Sequence, residues 1–132
     1  MILDSSAIVA ILIGEPERDI FMRLLAAETT LAMSAVTFHE ASIVMAGKKK
    51  QPSAAQLVER LVREMAIDIS VVTFDDAVAA REAYLRYGRG YHPARLNFGD
   101  CYSYVVAKSR DEPLLFKGDD FSKTDIVPAW RP

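Results

Sequence analysis

The sequence predicts an α/β fold in which a parallel sheet is covered by helices. Short apolar runs alternate with longer segments of helical periodicity, and acidic residues recur where an apolar run meets a turn or a helix start. No internal repeat, low-complexity tract or long linker divides the chain. The strand candidates lie near residues 1-4, 30-33, 68-72, 113-116 and 126-127.

Met1-Ile2-Leu3 reads as a short buried strand delivering Asp4 at its C-terminal end, followed by Ser5-Ser6-Ala7. Pro16 suits a first helical position ahead of Phe21, Leu24 and Leu25. Phe38, Ala41, Ser42 and Met45 trace a face at helical spacing that Ile43 and Val44 widen, so this helix, which carries Glu40, is expected to be buried nearly all round. Ser53 and Gln56 form a capping-box pattern before the stripe Leu57, Leu61 and Met65. On the outer side of that helix Glu59 precedes Arg63 at pairing distance, worth only ~0.3 kcal/mol. Thr73-Phe74-Asp75-Asp76 reads as capping and dipole chemistry for a helix running to about Tyr87. The glycines and proline of Gly88-Arg89-Gly90-Tyr91-His92-Pro93-Ala94-Arg95 then forbid a continuous helix. Phe98, Cys101, Tyr102, Val105 and Val106 repeat the offsets of the Glu40 helix around Asp100. Leu114-Leu115-Phe116-Lys117-Gly118 reads as a second buried strand leading to Asp119-Asp120. Trp130, beside Arg131 and Pro132, is expected to cover a core edge.

A chain of 132 residues with 51% hydrophobic content matches one domain, 1-132, with a real core. No stretch approaches the ~20 apolar residues of a membrane span, and no basic region precedes the first apolar run, so a soluble cytoplasmic protein is expected. Cys101 is the single cysteine, which excludes an internal disulfide and a Cys-rich zinc site, and its neighbours make it a core thiol rather than a nucleophile. The net charge of −2 offers no global attraction to a polyanion.

Asp4, Glu40, Asp100 and the Asp119-Asp120 pair therefore stand out as acids that the fold can gather into one metal-binding pocket. In open α/β sheets ligands bind outside the C-terminal ends of the strands. An unpaired buried carboxylate is costly, so Glu40 and Asp100 each demand a cation, a set of donors or a proton. A salt bridge to Arg or Lys, and capping of the helix start, are the plain alternatives.

Met1-Ile2-Leu3-Asp4-Ser5-Ser6-Ala7, Phe38-His39-Glu40-Ala41-Ser42, Leu96-Asn97-Phe98-Gly99-Asp100-Cys101 and the segment from Phe116 to Ile126 together strongly resemble a PIN-domain ribonuclease of the VapC toxin group. The resemblance covers essentially the whole chain and implies a three-layer α/β/α fold with a short central parallel sheet of four to five strands. It implies Mg2+- or Mn2+-dependent RNA cleavage, a homodimer, and inhibition by a small VapB-type antitoxin. By motif matching Asp4, Glu40 and Asp100 take the principal acidic positions, Asp120 outranks Asp119 as the fourth, and Ser6 matches the hydroxyl residue that helps hold the pocket. An antitoxin arginine entering that pocket would inhibit by charge competition.

The chemistry is consistent with such a set. Phosphodiester hydrolysis adds negative charge to a centre that already repels hydroxide, and a divalent cation reverses the local field. Hard oxygen ligands suit Mg2+ or Mn2+, and magnesium uses only one or two carboxylates directly, so Asp4 and Asp100 are expected nearest the metal. Glu40 and Asp120, with Asp119 as a further candidate, would bind a second ion, orient water or accept its proton. Candidate phosphate contacts are Lys48, Lys49, Lys50, Arg86, Arg89, Arg95 and Lys117, although three lysines at a helix end equally complement its dipole. Tyr87, Tyr91 and His92 suit either base stacking or packing. His39 is expected to pack or to bond a helix end rather than act as a base. Ile11, Leu12, Phe21 and Leu25 either line a groove for an amphipathic partner segment or belong to the core. A metal phosphatase or receiver-like phosphate protein is the weaker alternative, since Ser6 stands where a second Asp would be needed and no Gly-rich phosphate loop appears. A catalytically silent PIN scaffold is the third.

Overall fold

The apolar run at the start of the chain lies at the centre of the sheet, with the run near Leu114 beside it as the last strand. In the computed structural model, which describes residues 1–131, the strands are β1 (Ile2–Leu3), β2 (Ala32–Ser34), β3 (Asp68–Ser70) and β4 (Leu114–Leu115). Their order is β3-β2-β1-β4 and every pairing is parallel. Ile2 pairs with Ala32 on one side and Leu114 on the other.

Because successive strand residues point to opposite faces, this register divides the core in two. Leu3, Met33 and Leu115 pack with Ile8, Phe21, Met45 and Val58 on one side. Ile2, Ala32 and Leu114 pack with Ala83, Leu96 and Val105 on the other. The result is three layers, α/β/α, with α1 (Ser5–Ile13), α2 (Arg18–Ala27), α3 (Ala35–Lys49) and α4 (Gln56–Glu64) on the first side. The second side carries α5 (Phe74–Tyr87) and α6 (Phe98–Arg110). No helix is long and apolar enough to cross a membrane among the described residues.

Several elements differ from expectation. Residues 126-127 form no strand; they leave a single bridge between Leu114 and Pro128, with Leu114 N donating to Val127 O at 2.9 Å and Ala129 N to Leu114 O at 2.8 Å. Both bonds flank Pro128, and no second pair extends the bridge into a ladder. Pro16 lies in the turn before α2, whose N-cap is Glu17. Ser53 caps nothing, because Pro52–Ala55 forms a 3-10 turn and α4 starts only at Gln56. On α4, Val58 and Leu61 are the buried centre, with Leu57 and Met65 at its margins. Neither α3 nor α6 is buried all round: Ile43 is 58% and Phe98 70% exposed, because only the faces turned to the sheet and neighbouring helices are covered.

Other expectations hold. Thr73 and Asp76 form a reciprocal capping box at α5, and the exposed Arg63–Glu59 pair is present on α4. Between α5 and α6 the irregular loop is closed by a bridge between Gly88 and Leu96. Trp130 meets Phe21 edge-on, with ring centroids 5.4 Å apart, and covers the end of the first core; Pro132 lies outside the described residues. Cys101 is buried, and burial together with nearby Asp100 pushes its thiol up to about 12.

Candidate active site

Asp4 leaves β1 and caps α1. Its Oδ2 accepts from Ser6 N at 2.9 Å and from Ser6 Oγ at 2.6 Å, while Oδ1 accepts from Ser103 Oγ on α6 at 2.7 Å. Ser6 Oγ also accepts from Lys117 N, tying the start of α1 to the segment after β4. Glu40, in the second turn of α3, accepts from Ser5 Oγ at 2.8 Å. Its carboxylate lies on the backbone of Gly99, where an added Cβ would stand 2.6 Å from Glu40 Cδ. Asp100, in the first turn of α6, completes a capping box: its Oδ2 accepts from Asn97 N at 2.7 Å, and its own N donates to Asn97 Oδ1 at 2.9 Å. Asp120 is exposed in the turn that follows Gly118, a glycine at φ 104°.

Capping, the plain alternative, is thus real for both Asp4 and Asp100, yet at Asp100 it does not offset burial. Burial, then the charge of Asp4, pushes Asp100 up to about 7 against donation from the Asn97 backbone, with Glu40 and Asp120 adding to the rise. Burial raises Glu40 above its ordinary range, opposed by the Ser5 bond and reinforced by Asp4. Among the described residues no Lys or Arg forms an ion pair with any of the four. Asp76 makes the same kind of cap in solvent and is held below its ordinary range by Thr73. Burial and mutual repulsion, rather than local capping geometry, distinguish the pocket from a helix cap. Asp119 faces elsewhere, lining a cleft of about 440 Å3 with Phe116, Ile126, Pro128 and Trp130.

Carboxylates without a counter-cation offer hard oxygen donors, the kind that a divalent cation takes. Among the described residues no three His, Cys, Asp or Glu converge closely enough to cage an ion by themselves. The arrangement suits a cation that keeps part of its water and takes one or two carboxylates.

The basic candidates separate. Lys117 is paired with Glu15 at 2.7 Å and Glu17 at 2.8 Å, which raise its pKa, so two carboxylates compete with phosphate for it. Lys48 is exposed and lines a cleft of about 320 Å3 with Ser5, Ser6 and Glu15, beside the acids. Lys49 and Lys50 are exposed at the end of α3. Arg86 stacks over Tyr87, 4.8 Å from the ring centroid, and Arg89 and Arg95 are exposed in the loop before α6. Tyr87 is core, packed against His92 and Tyr104, whereas Tyr91 is 63% exposed. The His39 side chain is exposed and makes no hydrogen bond among the described residues, which differs from the expectation that it packs or bonds a helix end. Ile11, Phe21 and Leu25 are buried and Leu12 packs half-buried against them, so of the two readings these residues take that of core.

Ser5, Asn97, Gly99 and Ser103 also build the site and were not singled out from sequence. Gly99 could have been, as a glycine inside a helix start, where it weakens the helix unless something needs the space.

The PIN domain profile matches residues 1–127. Ribonuclease VapC42 of Mycobacterium tuberculosis is 45% identical over 130 residues, covering 98% of each chain. Ribonuclease VapC30 of the same organism is 40% identical over 132 residues, covering all of both chains. The crystal structure of Mycobacterium tuberculosis VapC20, described as a Sarcin-Ricin loop cleaving toxin, superposes with a TM-score of 0.80 at 21% identity, covering 99% of this chain and 98% of that one. A toxin-antitoxin complex from Klebsiella pneumoniae gives 0.69 at 17% identity over 99% and 98%. The chain belongs to the PIN-domain family, and within it to the VapC ribonucleases.

Proposed function

We propose that this chain is an endoribonuclease toxin that cuts RNA phosphodiester bonds with Mg2+ or Mn2+ held by Asp4 and Asp100. The observation that carries the reading is the pair of buried carboxylates Asp4 and Asp100 with the half-buried Glu40 beside them, Asp120 adding its charge, no ion-paired Lys or Arg on any of them among the described residues, and Asp100 raised to about 7. When bound, the cation supplies the positive charge that phosphodiester hydrolysis requires. Asp4 stays oriented by Ser6 and Ser103 and needs no rearrangement. Glu40, more basic than an ordinary carboxylate, accepts the proton of the attacking water, and Asp120 orients that water from its exposed turn. Lys48 guides the phosphate backbone. The RNA class is set by surfaces outside these residues.

The chain acts in the cytoplasm with a cognate VapB-type antitoxin, whose arginine would neutralise the pocket, in keeping with relatives named as VapC ribonucleases. It forms a homodimer, for which Phe74 and Phe98, 81% and 70% exposed, provide apolar surface. Asp4→Asn and Asp100→Asn should each abolish cleavage of total RNA and growth arrest while the protein stays folded. Normal cutting by either variant overturns the assignment. Co-purification from the expressed operon, with activity appearing once the partner is removed, tests the pairing.

A further inference from the structure

Behind Asp4 runs a chain of hydroxyls that no catalytic step uses. Ser103 Oγ donates to Asp4 Oδ1 at 2.7 Å, Thr37 Oγ1 lies 3.0 Å from Ser103 Oγ, and Ser34 Oγ lies 2.9 Å from Thr37 Oγ1. All four residues are buried, with exposures of 2% for Asp4, 1% for Ser34 and 0% for Thr37 and Ser103. The direction of the chain is forced. An ionised carboxylate only accepts, so Ser103 commits its one proton to Asp4 and must accept from Thr37, which in turn accepts from Ser34. Ser34 Oγ is itself fixed by Thr37 N at 2.9 Å. Four elements are thereby connected: the end of β2, α3, α6 and the end of β1.

The consequence lies at the carboxylate. A carboxylate offers about four acceptor positions. Asp4 has given two on Oδ2 to Ser6 N and Oγ and one on Oδ1 to Ser103, which leaves one, on Oδ1. We propose that Ser103, backed by Thr37 and Ser34, is a positioning residue that restricts Asp4 to one-point ligation through Oδ1, biasing the pocket against ions that take carboxylates through both oxygens. It rests on the metal-dependent reading above. Mg2+ demands near-ideal octahedral geometry and keeps its waters, whereas Ca2+ accepts bidentate carboxylates and irregular shells. A carboxylate held at three points serves the first and penalises the second.

Calorimetric titration of the full chain with Mn2+ and with Ca2+ tests this, with thermal unfolding run on every variant. Ser103→Ala should weaken Mn2+ binding about 10- to 100-fold, the usual effect of removing a partner that orients a ligand, and should narrow the preference for Mn2+ over Ca2+. Ser103→Thr, which keeps the hydroxyl, should restore both. Thr37→Val should cause a smaller loss, since Ser103 still donates to Asp4, and Ser109→Ala, elsewhere on α6, should change nothing. If the wild-type chain binds Mn2+ and Ser103→Ala binds both ions as wild type does, this inference fails and the active-site reading stands. It fails equally if Ser103→Thr, with an unchanged melting temperature, loses as much as Ser103→Ala. A wild-type chain that binds no Mn2+ overturns the reading of the pocket and this inference together.

Discussion

Asp100 answers two demands with one carboxylate: it closes the capping box of α6 through Oδ2, and it carries charge in a pocket with three other acids. Burial and Asp4 are the larger influences, so the group sits near 7 instead of 3.8. Between those values the folded protein holds a proton that the unfolded chain has released. Stability contributed by that proton is fully present at low pH, declines as pH rises from about 4 towards about 7, and is gone above it, a loss of roughly 4 kcal/mol. In the presence of a chelator the wild-type melting temperature should therefore fall between about pH 5 and about pH 8 relative to Asp100→Asn, which removes the titrating group. Mn2+ at the higher pH should recover the wild-type loss, because a bound cation displaces the proton. Parallel melting curves for the two proteins across this range would rule the coupling out.

Helix α6 delivers more than Asp100. Its first turn brings Gly99 against Glu40 of α3, so the two helices touch at a position where a side chain is absent. The group that an alanine would displace is the far end of a flexible glutamate, which can swing away at little cost to the fold. Gly99→Ala should accordingly leave the melting temperature nearly unchanged while reducing RNA cleavage about a hundredfold, the scale expected when a reacting group is misplaced by about 1 Å. In combination with Glu40→Gln the alanine should add almost nothing, because both changes remove the same carboxylate. Additive losses in kinetic assays would separate Gly99 from Glu40 and sink the idea. The same logic of close approach explains why α3 and α6, though partly exposed on their outer faces, present acids to a common pocket.

Across the whole molecule the charge problem is local. A chain of net charge −2 with an acidic pocket must still hold a polyanion, and Lys117, paired with Glu15 and Glu17, does not supply the attraction. Lys48, exposed in the cleft beside Ser5 and Ser6, is the cation proposed to supply it. In the cleavage-deficient Asp4→Asn background, Lys48→Ala should weaken RNA binding and lower the slope of log affinity against log salt by about 0.7 to 1, the loss of one phosphate contact. In the otherwise wild-type chain it should leave Mn2+ binding intact. An unchanged salt slope would move the RNA path to another face, such as the loop carrying Arg89 and Arg95.

Residue by residue, the chain already determined its class: apolar runs ending in acids, separated by helical periodicity, are a local pattern, and they located β1 to β4, the α5 cap and the four acidic points. The apolar stretch at 126-127 misled because apolar character does not decide how many residues run beside β4, and only Pro128 comes to pair, with Leu114. The sequence already set Asp75-Asp76 aside as a cap and grouped the other acids; tertiary structure supplied the physical difference between them. Asp4, Asp100 and Asp76 are all caps by local geometry, and only burial and the convergence of β1, α3 and α6 make two of them members of a repelling cluster. The partners that hold the pocket, Ser103 with Asp4 and Gly99 with Glu40, are far apart in sequence. No pattern of nearest neighbours encodes such a contact, because it exists only once the sheet has brought the helix starts to one edge.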